Sequence, residues 1–175
     1  MTGKFLAAVI LICALVAGVA MYYLQVYAYY ENVVPTGTDD VQLTTLDGRR
    51  ETILYEDFKA IDADSSPIRY RACFTTRTPL STLRGTYEEY TGAAPRNAPA
   101  WFECFDADAI GDDMADGRAH VFVSERNREF GIDRVVAITE DGRGYIWHEI
   151  NDCGDKAYDG SPLGDDCPQR EPGGN

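Results

Sequence analysis

The sequence lacks the short motifs that mark the common catalytic and nucleotide-binding sites. It contains no GxSxG, HExxH, Walker-type or GxGxxG pattern, and its two histidines, His120 and His148, lie far apart. These motifs carry the nucleophile of serine hydrolases, the ligands of zinc proteases and the phosphate-binding loops of nucleotide enzymes. The sequence therefore gives no support to those classes, and we expect no cofactor.

Charge is nearly missing from the first thirty residues, where Lys4 is the only charged side chain. Residues 5–24 contain neither charge nor proline. At about 1.5 Å per residue, a helix of this length spans roughly 30 Å, the thickness of the hydrocarbon core of a bilayer. A signal peptide cleaved after Gly18-Val19-Ala20 is the alternative. The run is longer than a usual signal peptide core, and its helical pattern continues past Ala20, so an uncleaved transmembrane helix is favoured.

Tyrosines cluster directly after the apolar run. The five are Tyr22, Tyr23, Tyr27, Tyr29 and Tyr30. Tyrosine suits the membrane–water interface because its ring is apolar and its hydroxyl is hydrated. We therefore predict that residues 1–34 form a transmembrane helix with an interfacial aromatic extension, although a partner-binding stripe could use the same side chains.

Cysteine spacing excludes the usual metal-binding pattern, since no CxxC is present. Four cysteines lie outside the apolar run, at positions 73, 104, 153 and 167. An even number without metal spacing indicates two disulfides in an oxidising compartment, with three pairings open. We favour Cys73–Cys104 and Cys153–Cys167, and expect Cys13 to be a free thiol within the membrane.

Positive charge is scarce in the rest of the chain. Residues 31–175 carry 15 Lys/Arg and 29 Asp/Glu, a net charge of −14. Such a surface repels nucleic acid and attracts basic proteins or cations, although acidic residues can also simply keep a small domain soluble. With Lys4 on the short side of the helix, the positive-inside tendency places the N-terminus in the cytoplasm and the acidic domain outside.

The remaining sequence predicts an α+β domain. We expect a linker over residues 35–40, a disulfide-stapled domain over 41–167 and a disordered tail over 168–175. Asp47-Gly48 and Asp141-Gly142 predict two-residue hairpin turns. The second turn would place Val136 opposite Trp147 and Arg134 opposite Glu149.

Two helices are predicted between the strands. One begins at Thr78-Pro79 with a buried stripe of Leu80, Leu83, Tyr87 and Tyr90, and the other covers residues 106–116. The resulting fold is a mostly antiparallel sheet with two or three short helices on one face.

Three weak candidate sites remain. His148, with Glu149 beside it, is the candidate catalytic pair, although a histidine on a sheet face is more often structural. Arg69 and Arg71, two apart on a strand, could bind a carboxylate or phosphate on one side. Asp62 and Asp64 begin like a calcium loop but lack its glycine and its final glutamate, which leaves at most a weak metal site.

The motifs SSPIRYRACF and FGIDRVVAI…DGRGYIWHEIN resemble those of an uncharacterised bacterial family of short, single-pass periplasmic proteins with a domain of unknown function. The resemblance covers nearly the whole chain. It implies the bacterial inner membrane as location, with the C-terminal domain periplasmic, and it transfers no catalytic residue.

We therefore expect a membrane-anchored periplasmic interaction or accessory module that is not an enzyme. It would belong to a membrane complex or an envelope assembly. Its partners would be the lipid bilayer and a membrane or periplasmic protein, one of basic character being favoured by the charge. The alternative is a ligand-binding or enzymatic domain with a cleft near His148, Arg69 and Arg71.

Overall fold

The chain begins with a long apolar helix. The computed structural model describes residues 2–164 and 167–168. Helix α1 runs over Thr2–Tyr23 and continues as one π-helical turn over Leu24–Ala28. The segment Gly3–Ala28 is long and apolar enough to cross a membrane, and none of its most apolar stretch is buried in the protein. The sequence therefore predicted the helix correctly.

The helix ends earlier than its tyrosine pattern suggested. Tyr29 and Tyr30 lie beyond its last turn, and strand β1 begins at Glu31. The following segment, predicted as a linker, is folded on itself. The carboxylate of Asp40 accepts the backbone N–H of Thr36 at 2.9 Å and that of Gly37 at 2.8 Å. Since β1 precedes this segment and already pairs with a later strand of the domain, the predicted linker is a loop within the domain.

A six-stranded antiparallel sheet forms the centre of the domain. The described part of the domain has eight strands in all: β1 (Glu31–Val33), β2 (Gln42–Thr44), β3 (Arg50–Thr52), β4 (Glu56–Asp62), β5 (Arg71–Thr75), β6 (Ala119–Glu129), β7 (Ile132–Thr139) and β8 (Arg143–Ile150). The large sheet has the order β1-β4-β5-β8-β7-β6, and β2 and β3 form a separate hairpin. Two short helices complete the domain, α2 (Leu80–Thr86) and α3 (Ala107–Ala115). The α+β prediction is confirmed.

Both faces of the large sheet are buried. One face carries Ala72, Phe74, Phe122, Val136, Ile138 and Ile146, and packs against the β2–β3 hairpin and α2. The other carries Ile61, Cys73, Val121, Val135, Ala137, Tyr145 and Trp147, and packs against α3 and the aromatic segment before it. Successive residues of a strand point to opposite faces, which divides the core in this way. The prediction that the helices share one face is wrong, because Leu83 of α2 and Ile110 of α3 are buried on opposite sides.

Both predicted hairpins exist, but their turns are one residue longer than predicted. In the β7–β8 turn, Gly142 has φ +83° and donates its N–H to the carbonyl of Thr139 at 3.0 Å. The hydroxyl of Thr139 accepts the N–H of Arg143 at 3.0 Å and donates to Asp141, which fixes a three-residue turn. Three-residue loops with a left-handed glycine are the next most common hairpin type.

The longer turn shifts the register of the β7–β8 hairpin by one residue. Val136 pairs with Ile146 and Arg134 with His148, so the predicted pairs with Trp147 and Glu149 are wrong. A one-residue shift moves each partner to the other face of the sheet. The observed register determines which of the candidate side chains lie on the same face of the sheet.

Two further differences come from local irregularities. Strand β4 was not predicted because a register shift between Glu56 and Lys59, with Asp57 at φ +56°, breaks its alternation. Helix α2 ends at Thr86, and the chain then runs extended beside β6, where the N–H of Tyr90 bonds to Val121. Tyr90 therefore packs on the face opposite to Tyr87, not on the predicted helical stripe.

The favoured cysteine pairs lie at bonding distance. The sulfur atoms of Cys73 and Cys104 are 2.19 Å apart, and those of Cys153 and Cys167 are 2.12 Å apart. Cys13 lies on the outer surface of α1, outside these pairs. Residues 169–175 of the predicted tail lie outside the described residues.

Candidate functional site

Arg71 is a buried cation that holds two chain segments together. Its side chain makes four hydrogen bonds to backbone carbonyls, those of Ile68, Tyr70, Arg96 and Asn97. Burial lowers the pKa of Arg71 to about 10, which leaves it charged at neutral pH. The guanidinium therefore ties the segment before β5 to the segment around Arg96, and at 4% exposure Arg71 is not open to solvent as a ligand site would need.

Arg69 occupies a different environment. Strand β5 begins at Arg71, so Arg69 lies before it in a turn, where its N–H bonds to the carbonyl of Ser66. Its guanidinium carbon lies 5.6 Å from the centre of the Tyr30 ring, at the exit of the helix. The structure does not align the two arginines on one side of a strand, and Arg69 is the member that stays partly exposed.

His148 is buried and uses both ring nitrogens. Nε2 accepts a hydrogen bond from Nε of Arg134 at 2.9 Å, and Nδ1 therefore carries the proton that is donated to the carbonyl of Pro67. The ring stacks on Tyr70 with centroids 5.1 Å apart. Burial, together with the charge of Arg134, lowers the pKa of His148 to about 4. At neutral pH it is a neutral ring with a fixed tautomer and no free nitrogen for proton transfer.

Two other candidate site residues, Glu149 and Arg71, lie on the opposite face of the sheet from His148. Arg71 pairs with Trp147 in the β5–β8 ladder, and Glu149 alternates with His148 along β8. Arg71 and Glu149 therefore lie on one face of the sheet, and His148 lies on the other. The structure does not bring the candidate catalytic pair together, nor does it place His148 and Arg71 in a common cleft.

Glu149 serves the face that holds Arg71. Its side chain is buried and accepts the indole N–H of Trp147 and the backbone N–H of Ala94, both at 2.6 Å. An Nη atom of Arg96 lies 3.7 Å from its second oxygen. Glu149 thus anchors the segment between α2 and α3 on the sheet.

Asp62 and Asp64 line a shallow groove of about 320 Å³ beside β1. The groove also contains Ala28, Tyr29 and Glu31 at the helix exit. Within the described residues, no group of three or more His, Cys, Asp or Glu side chains could hold a metal ion. The carboxylate of Asp62 instead accepts the N–H of Ala63 at 2.8 Å.

The helix and the domain are joined by an aromatic contact. The indole N–H of Trp101 donates to the carbonyl of Val26, within the π-helical turn, at 2.7 Å. Tyr30 lies edge-on to Trp101 with ring centroids 6.1 Å apart, and Phe102 extends the cluster into the core. We call Val26, Tyr30, Arg69, Arg96 and Trp101 the helix junction.

The helix junction was only partly visible in the sequence. Tyr30 was predicted as an interfacial residue and Arg69 as a ligand-binding residue, but Trp101 and Arg96 were not singled out. The dense apolar stretch AWFECF carried a signal for core packing. Nothing in it showed that one indole would reach a residue 75 positions earlier.

Comparison with known proteins places the domain in a family. The model of a family of unknown function, DUF6446, matches residues 41–168. The chain belongs to this family. The match covers the DUF6446 domain and begins after the helix, so it gives no information on the anchor or its orientation. No curated protein and no solved structure matches the chain.

Proposed function

We propose that this DUF6446 protein is a single-pass protein of the bacterial inner membrane that presents its acidic domain to the periplasm as a non-catalytic interaction module. In this role the domain docks a protein partner of a membrane complex or envelope assembly. The helix holds the domain against the membrane surface.

The observation that carries this proposal is the contact between the indole of Trp101 and the carbonyl of Val26. A backbone carbonyl in the last turn of a helix has a fixed direction relative to the helix axis. A donor from the domain therefore fixes the domain relative to the helix, and a docking face would gain a defined height and angle above the bilayer. A tether that only retained the domain would need no such contact.

Two further features support the compartment and the partner. The cysteine pairs are typical of an oxidising space, where disulfides persist. The net charge of −14 beyond residue 30 favours a partner with a basic surface and a fast, salt-dependent association.

Thiol labelling in intact cells tests the topology. The full-length protein is treated with a maleimide polymer before and after reduction, and band shifts are counted on a gel. We expect the four domain cysteines to react only after reduction. Free domain thiols without reductant, or a mature chain that begins near residue 21, would overturn the proposal.

Purification of the full-length protein in lipid nanodiscs, without cross-linking, tests the interaction role. We expect a companion protein whose recovery falls as salt rises from about 50 to about 500 mM, because screening weakens attraction between exposed charges. Recovery that does not change with salt would contradict a basic partner. A chain recovered alone would contradict the docking role.

A further inference from the structure

One guanidinium at the helix junction, that of Arg69, has no anionic partner among the described residues, although the chain beyond residue 30 is strongly acidic. Most arginines in the described part of the chain lie within 4.0 Å of a carboxylate, as Arg50 does with Glu125 and Arg84 with Glu89. Arg71 and Arg134 have no carboxylate at that distance among the described residues. Arg71 donates to backbone carbonyls instead, and Arg134 donates to His148. Arg69 has neither kind of acceptor among the described residues, and the ring of Tyr30 is its side-chain contact.

The position of Arg69 matches the depth of lipid headgroups. The apolar segment has 26 residues, which at about 1.5 Å each extends to roughly 39 Å. The hydrocarbon core is about 30 Å thick and the whole bilayer about 40–45 Å, so the last turns of the segment reach the headgroup layer. Tyr30 follows the helix end by two residues, and Arg69 lies 5.6 Å from its ring.

A second arginine nearby has an unmet donor. Nε of Arg96 is buried and has no hydrogen-bond partner within the described residues, while the side chain as a whole is 39% exposed. The carbonyl of Arg96 is held by Arg71, which also holds that of Ile68. The segments that carry Arg69 and Arg96 are thus fixed side by side. Nε itself is enclosed, so an acceptor from outside would reach Arg96 through the exposed part of its side chain.

We propose that Arg69, assisted by Arg96, binds the phosphate of a phospholipid headgroup in the leaflet on the domain's side. This inference rests on the membrane topology of the proposed function. A guanidinium offers planar, paired donors to phosphate oxygens, and the face of Tyr30 holds it in place before the lipid arrives. The net charge of the domain is negative, so the contact recognises the phosphate rather than the overall charge of the membrane.

Native mass spectrometry of the full-length protein in detergent micelles tests this site, with phosphatidylglycerol as the probe. We expect Arg69→Gln to lower the apparent affinity for the lipid about tenfold, the effect of losing one charge-assisted contact. Arg84→Gln is the matched control, because Arg84 is exposed, lies on α2 and already pairs with Glu89 at 2.7 Å. Arg69→Lys keeps the charge without the planar fork and should lose affinity by a smaller factor.

Two further probes separate the sources of phosphate. A digalactosyl lipid, which has no phosphate, should bind more weakly than phosphatidylglycerol and should not respond to Arg69→Gln. Soluble glycerol phosphate should not compete at the concentrations at which the lipid saturates the site. Equal lipid affinity of wild type and Arg69→Gln, equal binding of the galactolipid, or tight binding of soluble glycerol phosphate would each overturn the proposal.

Failure of the topology looks different from failure of this site. If the helix is not a membrane segment, neither the wild type nor any variant will associate with the micelles. An intact fold is checked by near-ultraviolet circular dichroism. If Arg69→Gln disturbs the fold, Arg69→Lys decides, and full wild-type affinity in that variant would contradict recognition by the guanidinium fork.

Discussion

The interior of the sheet and the helix junction use arginine in different ways. Arg71, in the interior, is 4% exposed and donates to four backbone carbonyls. Arg69, two residues earlier, contacts one tyrosine ring and leaves its donors unused by the described residues. The same residue type thus serves the stability of the fold in one region and remains available for binding in the other.

This difference shows where a function can be sought. In the interior, His148 and Glu149 are also buried and hydrogen bonded on more than one side. A buried polar group with all its partners rigidifies a core but offers nothing to a ligand. At the helix junction, the guanidinium of Arg69 and Nε of Arg96 have no hydrogen-bond acceptor among the described residues, and the junction adjoins a helix apolar enough to cross a membrane.

Replacing Arg71 or Arg69 by methionine should give the largest difference in stability between the two regions. Arg71→Met leaves four backbone carbonyls without donors in a buried site, and we expect a loss of about 4 kcal/mol in the free energy of unfolding. Arg69→Met should change it by less than about 1 kcal/mol, because Arg69 is partly exposed and makes no hydrogen bond with its side chain among the described residues. Urea unfolding of the full-length protein in detergent, followed by tryptophan fluorescence, measures both. Similar losses in the two variants would remove the distinction between the regions.

Removing each disulfide in turn should cost more stability in the interior than in the C-terminal loop. Cys73–Cys104 closes a separation of 31 residues beside Arg71, and Cys153–Cys167 closes one of 14. The chain-entropy model gives about 3.7 and about 3.0 kcal/mol for loops of these lengths. Cys73 is also buried in the core, so we expect the Cys73→Ala/Cys104→Ala variant to be the less stable of the two double variants. The same unfolding experiment measures this order, and the reverse order would contradict the assigned importance of the interior face.

Acid should weaken the interior through His148. Its pKa is lowered from 6.5 to about 4 in the folded protein, so the unfolded chain binds the proton more tightly. The stability contributed by the neutral ring is complete above about pH 6.5 and is lost as the pH falls towards 4, to an extent of about 3 kcal/mol. His148→Gln should lack this part of the pH dependence, whereas His120→Gln should retain it. Unfolding curves at pH 7 and pH 4.5 measure the difference, and parallel losses in wild type and His148→Gln would refute this role.

Much of this fold was predictable because local signals agreed with the tertiary structure. Helix α3 has Asp106 as its N-cap, which accepts the N–H groups of Asp108 and Ala109, and the predicted limits, residues 106 and 116, are its two cap residues. The hairpins were located correctly by their Asp-Gly pairs. Their register was not, because the hydroxyl of Thr139 lengthens the turn, and Thr45 repeats the arrangement with Asp47 and Arg49. The sequence segments TLDGR and TEDGR contained this shared threonine, which was the missed signal.

The candidate sites were harder to predict because they depend on that register. A shift of one residue exchanges the faces of a strand, so His148 and Glu149 could be placed only after the turn was known. The helix junction depends on contacts between distant segments, such as Trp101 with Val26, and no local pattern encodes them. Composition could show that tyrosine and tryptophan favour interfaces, but not which ring meets which carbonyl.

The two tryptophans should show the smallest difference between the regions. Each indole donates one hydrogen bond: Trp101 donates to Val26 at the junction, and Trp147 donates to Glu149 in the interior. Trp101→Phe should cost less than about 1 kcal/mol in stability but widen the range of angles between helix and domain. Trp147→Phe should cost about 2–3 kcal/mol without changing that range, because it leaves a buried carboxylate short of a donor. Spin labels on Cys13 and on a cysteine introduced at exposed position Glu140 report the range as the width of their distance distribution in nanodiscs. An unchanged width in Trp101→Phe would mean that the indole does not set the angle, since the ring contacts with Tyr30 and Phe102 would then suffice to hold the domain on its helix.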